Sequence, residues 1–223
     1  MTALAIDNVR VYPGNGGREA PVIYLVNSPD HPFDVEPLAG TLACAVASLP
    51  YANWSDALTP WPAPGLYREE PDFGGHAADT LAELVDEAVP TIEKNASLHP
   101  ARRAICGYSL GGLFALFALT HADAFDACAC LSGSVWYEGW VDHLRALDLD
   151  LAGRFAYLSV GTKEKRGGRP IMRTVQDNME ACAGILRDRG AQVTYVTGPG
   201  NHMQHIAERH EAGLSALDAF LTS

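Results

Sequence analysis

In this 223-residue chain, the stretch whose residue types and spacing most directly suggest chemistry is Gly107-Tyr108-Ser109-Leu110-Gly111-Gly112. A serine with glycine two positions away on each side fits a very sharp strand-to-helix turn. The central residue takes a strained backbone conformation, and the glycines remove the Cβ atoms that would collide there. In such a turn Ser109 projects its hydroxyl past the sheet edge. The helix N-terminus beneath it favours developing negative charge, and the Leu110 N–H points where an oxyanion would form. The chemistry implied is attack on an acyl carbon, followed by release of the acyl group to water. A glycine-rich turn with a helix-capping serine has the same letters, so the flanking elements must decide.

Those elements fit. Arg103 to Cys106 reads as a strand ending directly before the motif, and Leu110 to Thr120 reads as a helix apolar all round, which belongs at the centre of a layered fold. Val22 to Val26 is a short, continuous apolar run, the signature of a strand buried on both faces. Thr41 to Leu49 is β-compatible, and Leu81, Leu84, Val85, Ala88, Val89 and Ile92 form one helical stripe. Ala127 to Leu131, Phe155 to Val160 and Val193 to Thr197 read as strands; Ile171 to Arg189 and His205 to Leu221 read as helices. This alternation predicts an α/β fold with a mostly parallel sheet and helices on both faces. Pro50 to Gly75 is loop-rich, and no linker divides the chain, so residues 1–223 read as a single domain.

In that context Gly107-Tyr108-Ser109-Leu110-Gly111-Gly112-Leu113-Phe114-Ala115 resembles the elbow of the esterase family that contains esterase D-type, feruloyl and enterochelin esterases and the mycolyltransferases. The likeness continues through Leu131-Ser132-Gly133-Ser134-Val135-Trp136, Tyr157 to Glu164, and Gly198-Pro199-Gly200-Asn201-His202, in family order. The resemblance implies an α/β-hydrolase fold without a large lid. It implies a serine carboxylic-ester hydrolase with a Ser-His-Glu triad and neither cofactor nor metal. Alternatives are an acyltransferase or thioesterase using the same site, or a non-catalytic binding protein on the same fold.

In this fold the nucleophile is followed in sequence by the acid and then the histidine. His202, His205 and His210 lie beyond the last strand. His202 occupies the loop before the final helix, as the family's base does, whereas His205 and His210 fall within the helical pattern, where surface positions are expected. The acid should follow Phe155 to Val160, where Gly161-Thr162-Lys163-Glu164 offers Glu164 at the position of the family's carboxylate. The competing reading of Glu164 is a solvated partner of Lys163 or Lys165; Asp177 and Glu180 are poorer candidates within a helix. Leu110 supplies one oxyanion donor. The second should come from Asn27-Ser28-Pro29-Asp30, where the family's donor aligns with Pro29, which has no N–H, leaving Ser28 or Asp30. Trp54, Trp61, Tyr67, Phe73, Trp136, Tyr137 and Trp140 taken singly read as core anchors for long loops, but collectively they suggest an apolar pocket rim, with Trp54, Trp61, Trp136 and Tyr137 the substrate-pocket candidates; His31 and His76 are further candidates.

Composition bounds the partners. A net charge of −11 argues against nucleic-acid or anionic-membrane binding and leaves a small-molecule ester. Lys163, Lys165, Arg166 and Arg169 are interrupted by Glu164 and two glycines, and do not read as a phosphate site. Five irregularly spaced cysteines read as buried free thiols, with Cys128 and Cys130 on one strand face. The first ten residues lack a signal-peptide pattern and no stretch has the length of a membrane span, so the expectation is a cytoplasmic protein; assembly as a homo-oligomer stays open.

Overall fold

Apolar runs without alternation become strands covered on both sides. In the computed structural model, which describes residues 4–6, 8–28, 30, 32–68 and 71–223, all six residues of Val22–Asn27 are buried. The strands are β1 (Leu4–Ile6), β2 (Val9–Tyr12), β3 (Val22–Asn27), β4 (Ala45–Pro50), β5 (Arg103–Tyr108), β6 (Ala127–Leu131), β7 (Phe155–Gly161) and β8 (Gln192–Gly198). They form one sheet in the order β1-β2-β4-β3-β5-β6-β7-β8. From β4 to β8 every neighbouring pair is parallel, while β1 and β2 add an antiparallel edge. That edge is not foreseen in the sequence, because strands this short carry too few residues for alternation to register.

The helices are α1 (Trp54–Ala57), α2 (Ala77–Glu83), α3 (Val89–Ala96), α4 (Leu110–His121), α5 (Trp140–Ala146), α6 (Val175–Asp188) and α7 (Ile206–Leu221). One face of the sheet packs Val22, Tyr24 and Val26 with α4, α5 and α6; the other packs Ile23 and Leu25 with Leu214, Leu217 and Leu221 of α7. All residues of α4 from Leu110 to Thr120 are buried, as its lack of a polar face predicts. Between α2 and α3 the helix widens into a π turn, Leu84–Ala88, just before Pro90. Proline offers no N–H to the preceding turn and crowds its carbonyls, so the wider turn lets one apolar stripe continue through it. Expected strand Thr41 to Leu49 starts later, at Ala45, because Thr41 to Cys44 is consumed by turns. All five cysteines are buried and free. Cys128 and Cys130 share one face of β6, opposite Ala127, Ala129 and Leu131. Among the described residues no helix is long and apolar enough to cross a membrane.

The register brings the C-terminal ends of neighbouring strands level. Tyr108 pairs with Leu131, Leu131 with Ser159, and Gly161 with Gly198. Residues immediately past these ends therefore meet along one edge.

Candidate active site

Ser109 sits in the turn between β5 and α4 with φ 57° and ψ −121°, a conformation disfavoured for any residue with a Cβ. The turn is closed by short contacts. A Cβ on Gly107 would lie 2.3 Å from the Gly111 carbonyl oxygen, and one on Gly111 would lie 3.2 Å from the Val26 carbonyl oxygen. Backbone hydrogen bonds hold the strained residue in place. The Ser109 N–H donates to the Leu131 carbonyl at 3.0 Å, and the Ser109 carbonyl accepts from Gly112, Leu113 and Ser134 N–H groups. Leu110 is the first residue of α4, where an N–H has no intrahelical acceptor.

Ser109 Oγ lies 3.1 Å from His202 Nε2, and His202 Nδ1 lies 3.0 Å from Glu164 Oε2. A carboxylate only accepts, so the arrangement fixes the tautomer: Nδ1–H donates to Glu164, leaving Nε2 to accept the serine proton. His202 follows the Gly198–Asn201 loop beyond β8. That loop is tied to the β7 end by Thr162 N–H on the Gly198 carbonyl and Lys163 N–H on the Gly200 carbonyl.

Glu164 is not a solvated partner of Lys163 or Lys165. It opens a short 3₁₀ turn after β7 and is buried, its side chain 3% exposed. Its Oε1 accepts from Ser132 Oγ at 2.7 Å and from the Gly161 N–H at 2.7 Å, with Arg209 Nη1 3.6 Å away. Burial alone would raise the Glu164 carboxyl. The hydrogen bond and charge of His202, with the donors Ser132 and Gly161, instead hold it below the usual carboxylate value.

A cleft of about 340 Å³ opens beside Ser109, walled by Trp54, Leu66, Phe73, Trp136 and Met172. A second cavity of about 180 Å³ lies on the other side of the Ser109–His202 pair, lined by Val26, Ser28, Tyr108, Met203 and Ile206, with Trp54 shared between the two. Trp54 and Trp136 are among the lining residues of the cleft. Trp61 and Tyr137 are not, and instead take the other reading their sequence allows, as core anchors beside it. The Tyr137 hydroxyl donates to the Trp61 carbonyl at 2.6 Å, and their rings pack 5.9 Å apart, with Phe73 5.4 Å from Tyr137. Their large apolar surfaces are used to brace Phe73 from behind, against Trp140 and His143.

Other expectations sort as follows. Ser28 lines the smaller cavity; Pro29 and His31 lie outside the described residues. His76 precedes α2 and faces Asp79 and Asp56. His205 stands before α7, exposed and 3.1 Å from Glu208. His210 is not at the surface: it stacks between Phe33 and Tyr108 at 4.4 and 5.4 Å. Asp177 and Glu180 are exposed on α6.

Four further residues make polar contacts at the site that the sequence does not assign to them. Asn27 receives the Phe33 N–H on its side-chain oxygen and donates to the Phe33 carbonyl and to Ser48, closing the loop after β3. Ser132, with φ 44°, donates to Glu164, and Ser134 Oγ lies 3.3 Å from Ser109 Oγ. Arg209, buried on α7, donates to the Pro199 and Asn201 carbonyls and to the Tyr108 hydroxyl. Asn27 closes a local loop on Phe33, while Ser132, Ser134 and Arg209 reach partners 25 to 101 residues away.

Residues 7–180 match the model of a family described as "Putative esterase". The chain is 31% identical over 141 residues to the uncharacterized protein YbbA of Bacillus subtilis (strain 168), an alignment that spans 62% of this chain and 56% of that relative, a little over half its length. The fold is similar to that of an IroE-like serine hydrolase from Shewanella oneidensis, with a TM-score of 0.77 and 20% identity, covering 95% of this chain and 75% of that one. It is also similar to the siderophore hydrolase EstA of Aspergillus nidulans, with a TM-score of 0.72 and 20% identity over 96% of this chain and 90% of that one. The architecture is that of an α/β-hydrolase.

Proposed function

Since the chain belongs to this esterase family, we propose that it hydrolyses carboxylic esters through Ser109, His202 and Glu164. The observation that carries the reading is the unbroken relay from a buried carboxylate through an imidazole to a hydroxyl on a strained turn, at 3.0 and 3.1 Å. Ser109 Oγ attacks the ester carbonyl while its proton passes to His202 Nε2. Glu164 stays ionised, holds the imidazole in its tautomer and stabilises the imidazolium. The carbon–oxygen bond to the leaving alcohol then breaks as His202 returns the proton to it. Water, deprotonated by the same nitrogen, releases the acid and restores Ser109. The Leu110 N–H faces the oxyanion, with the second donor drawn from the loop at Ser28; each such donor contributes about 2.7–4 kcal/mol in hydrolases of this kind.

The test is hydrolysis of 4-nitrophenyl butyrate together with labelling by a fluorophosphonate. Wild-type protein should turn over the ester and carry the label on Ser109, and Ser109→Ala should lose both. Full turnover by folded Ser109→Ala would overturn the proposal. Siderophore lactones belong in the wider substrate panel, because EstA is named a siderophore hydrolase.

A further inference from the structure

The segment after Glu164 acquires a character on folding that its sequence hides. Residues 163–174 carry five basic side chains and one acid. That one acid, Glu164, turns inward to His202 and Ser132, which removes from the surface the negative charge that interrupts the run. Lys163, Lys165, Arg166, Arg169 and Arg173 are all exposed. Among the described residues none of the five takes part in an ion pair. The nearest acids along the chain, Asp177 and Glu180, lie on the following helix. In a protein of net charge −11 this is a local reversal of sign.

Its position ties it to the reaction. The two 3₁₀ turns, Glu164–Arg166 and Pro170–Thr174, fold back on each other at Gly168, whose φ is +66°. They wall a cavity of about 210 Å³ lined by Lys163, Met172, Trp136, His202 and Met203. Trp136, Met172 and His202 also line the main cleft, so the two spaces adjoin at the imidazole. A general acid stands beside the group it protonates, so the leaving portion of the substrate lies on the His202 side. Trp54, Leu66, Phe73, Trp136 and Met172 give the cleft beside Ser109 an apolar side that suits an uncharged acyl group.

We propose that the basic rim formed by Lys163, Lys165, Arg166, Arg169 and Arg173 binds an anionic group on the leaving portion of the substrate. The favoured substrate is then an ester or thioester with an apolar acyl part and a leaving group ending in carboxylate or phosphate. This rests on the ester-hydrolase reading above. Lys163 lines the cavity itself, and the other four stand exposed on or beside the two turns that wall it. Exposed charges act over a Debye length of about 8–10 Å, so nearby positive charge outweighs the more distant acids of the rest of the molecule.

Two matched pairs test this. 4-Nitrophenyl butyrate is compared with 5-butyryloxy-2-nitrobenzoate, which adds a carboxylate to the leaving group; S-butyryl-N-acetylcysteamine is compared with butyryl-coenzyme A, which adds phosphates. The expected result is an anionic-to-neutral ratio of kcat/KM above one in at least one pair. That ratio should fall as salt is raised, and fall about tenfold in the Lys163→Glu/Lys165→Glu/Arg166→Glu/Arg169→Glu/Arg173→Glu variant, chiefly through KM. The milder set of alanine substitutions should move the ratio the same way, which separates loss of attraction from damage by introduced acids. The pair that responds identifies the anion as carboxylate or phosphate. Hydrolysis of the neutral esters with no preference for the anionic ones, or with a ratio that neither salt nor the variants change, overturns this inference and leaves the esterase reading standing. No hydrolysis of any of the four overturns both.

Discussion

Tyr108 donates its phenolic hydrogen to the main-chain carbonyl of His202 at 2.6 Å, and its oxygen accepts from Arg209 Nη1 at 2.8 Å. The residue immediately before Ser109 therefore holds the backbone of the residue that faces Ser109. The elbow and the histidine loop are joined by a tether that does not pass through the Ser109–His202 hydrogen bond, and Arg209 secures that tether from α7.

Removing the tether should loosen the imidazole without unfolding the protein. Tyr108→Phe loses two hydrogen bonds, each worth about 1 kcal/mol of stability, and leaves the ring stacked on His210. The expected outcome is a kcat roughly tenfold lower with little change in KM, since misplacement of a reacting group falls on the chemical step. Steady-state kinetics on a 4-nitrophenyl ester reads this directly. A kcat equal to that of the wild type would show that Arg209 and the Thr162 and Lys163 N–H groups hold the loop without the Tyr108 tether.

Trp54 stands between the cavities of about 340 and 180 Å³. Its Cη2 would lie 3.0 Å from a Cβ at position 111, so it packs tightly over the elbow. Trp54→Ala should merge the two spaces and shift preference toward bulkier acyl groups. An acyl-length series should show short esters losing kcat/KM while longer or branched ones gain. Uniform loss across the series would mean that Trp54 supports the elbow and does not set the pocket's size.

Acid should destabilise the fold in two stages. Burial lowers the His210 imidazole from 6.5 to about 4, with the Ile206 carbonyl opposing the shift slightly. Between those values the unfolded chain binds a proton that the folded one refuses, so stability is full above pH 6.5 and declines toward pH 4. The loss is at most about 3 kcal/mol, at 1.36 kcal/mol per pKa unit. Glu164 is also held below its ordinary value, so its contribution is present above the usual carboxylate range and is lost as pH falls through the folded value. Denaturant midpoints measured across this range should decline from pH 6.5 to 4 in the wild type and flatten in His210→Phe.

At the opposite end of the sheet, Glu93 accepts two hydrogen bonds from Arg103, at 2.6 and 2.8 Å, and one from the Tyr24 hydroxyl at 2.8 Å. Glu93→Gln leaves the guanidinium without its counter-charge, and Glu93→Ala strands the phenol as well. Losses of about 2 and about 3–4 kcal/mol are expected in chemical denaturation, with the activity of the folded protein unchanged.

The residues legible in the sequence are those that sit where a local pattern changes. Ser109, Glu164 and His202 each follow a strand directly or by a short loop, and glycines mark the turns at Gly107, Gly111, Gly161 and Gly200. The sequence does not separate Trp61 and Tyr137 from Trp54 and Trp136, because an aromatic ring has the same letters whether it lines a cleft or braces its wall; packing alone decides. The partners of Ser132 and Arg209 are hidden for another reason. Ser132 meets Glu164 because β6 and β7 are neighbours, and Arg209 reaches Tyr108 from 101 residues away. Neither relation has a spacing that a window along the chain can detect.

The level ends of β5 to β8 also dictate which lengths of chain can drift. Among the described residues of the segment from Asn53 to Gly75, the strand pairing is one isolated bridge, Ala63 with Phe73, and its exposed stretch around Tyr67 can gain or lose residues with modest effect. Between Gly161 and Glu164 the count is fixed, because the Gly161 N–H and the Glu164 carboxylate must close on each other at 2.7 Å. One inserted residue there would swing the carboxylate away from His202, while ten added near Tyr67 would only decorate the entrance. Homologues should therefore diverge by insertion on the Trp54 side of the cleft and keep a constant count on the His202 side.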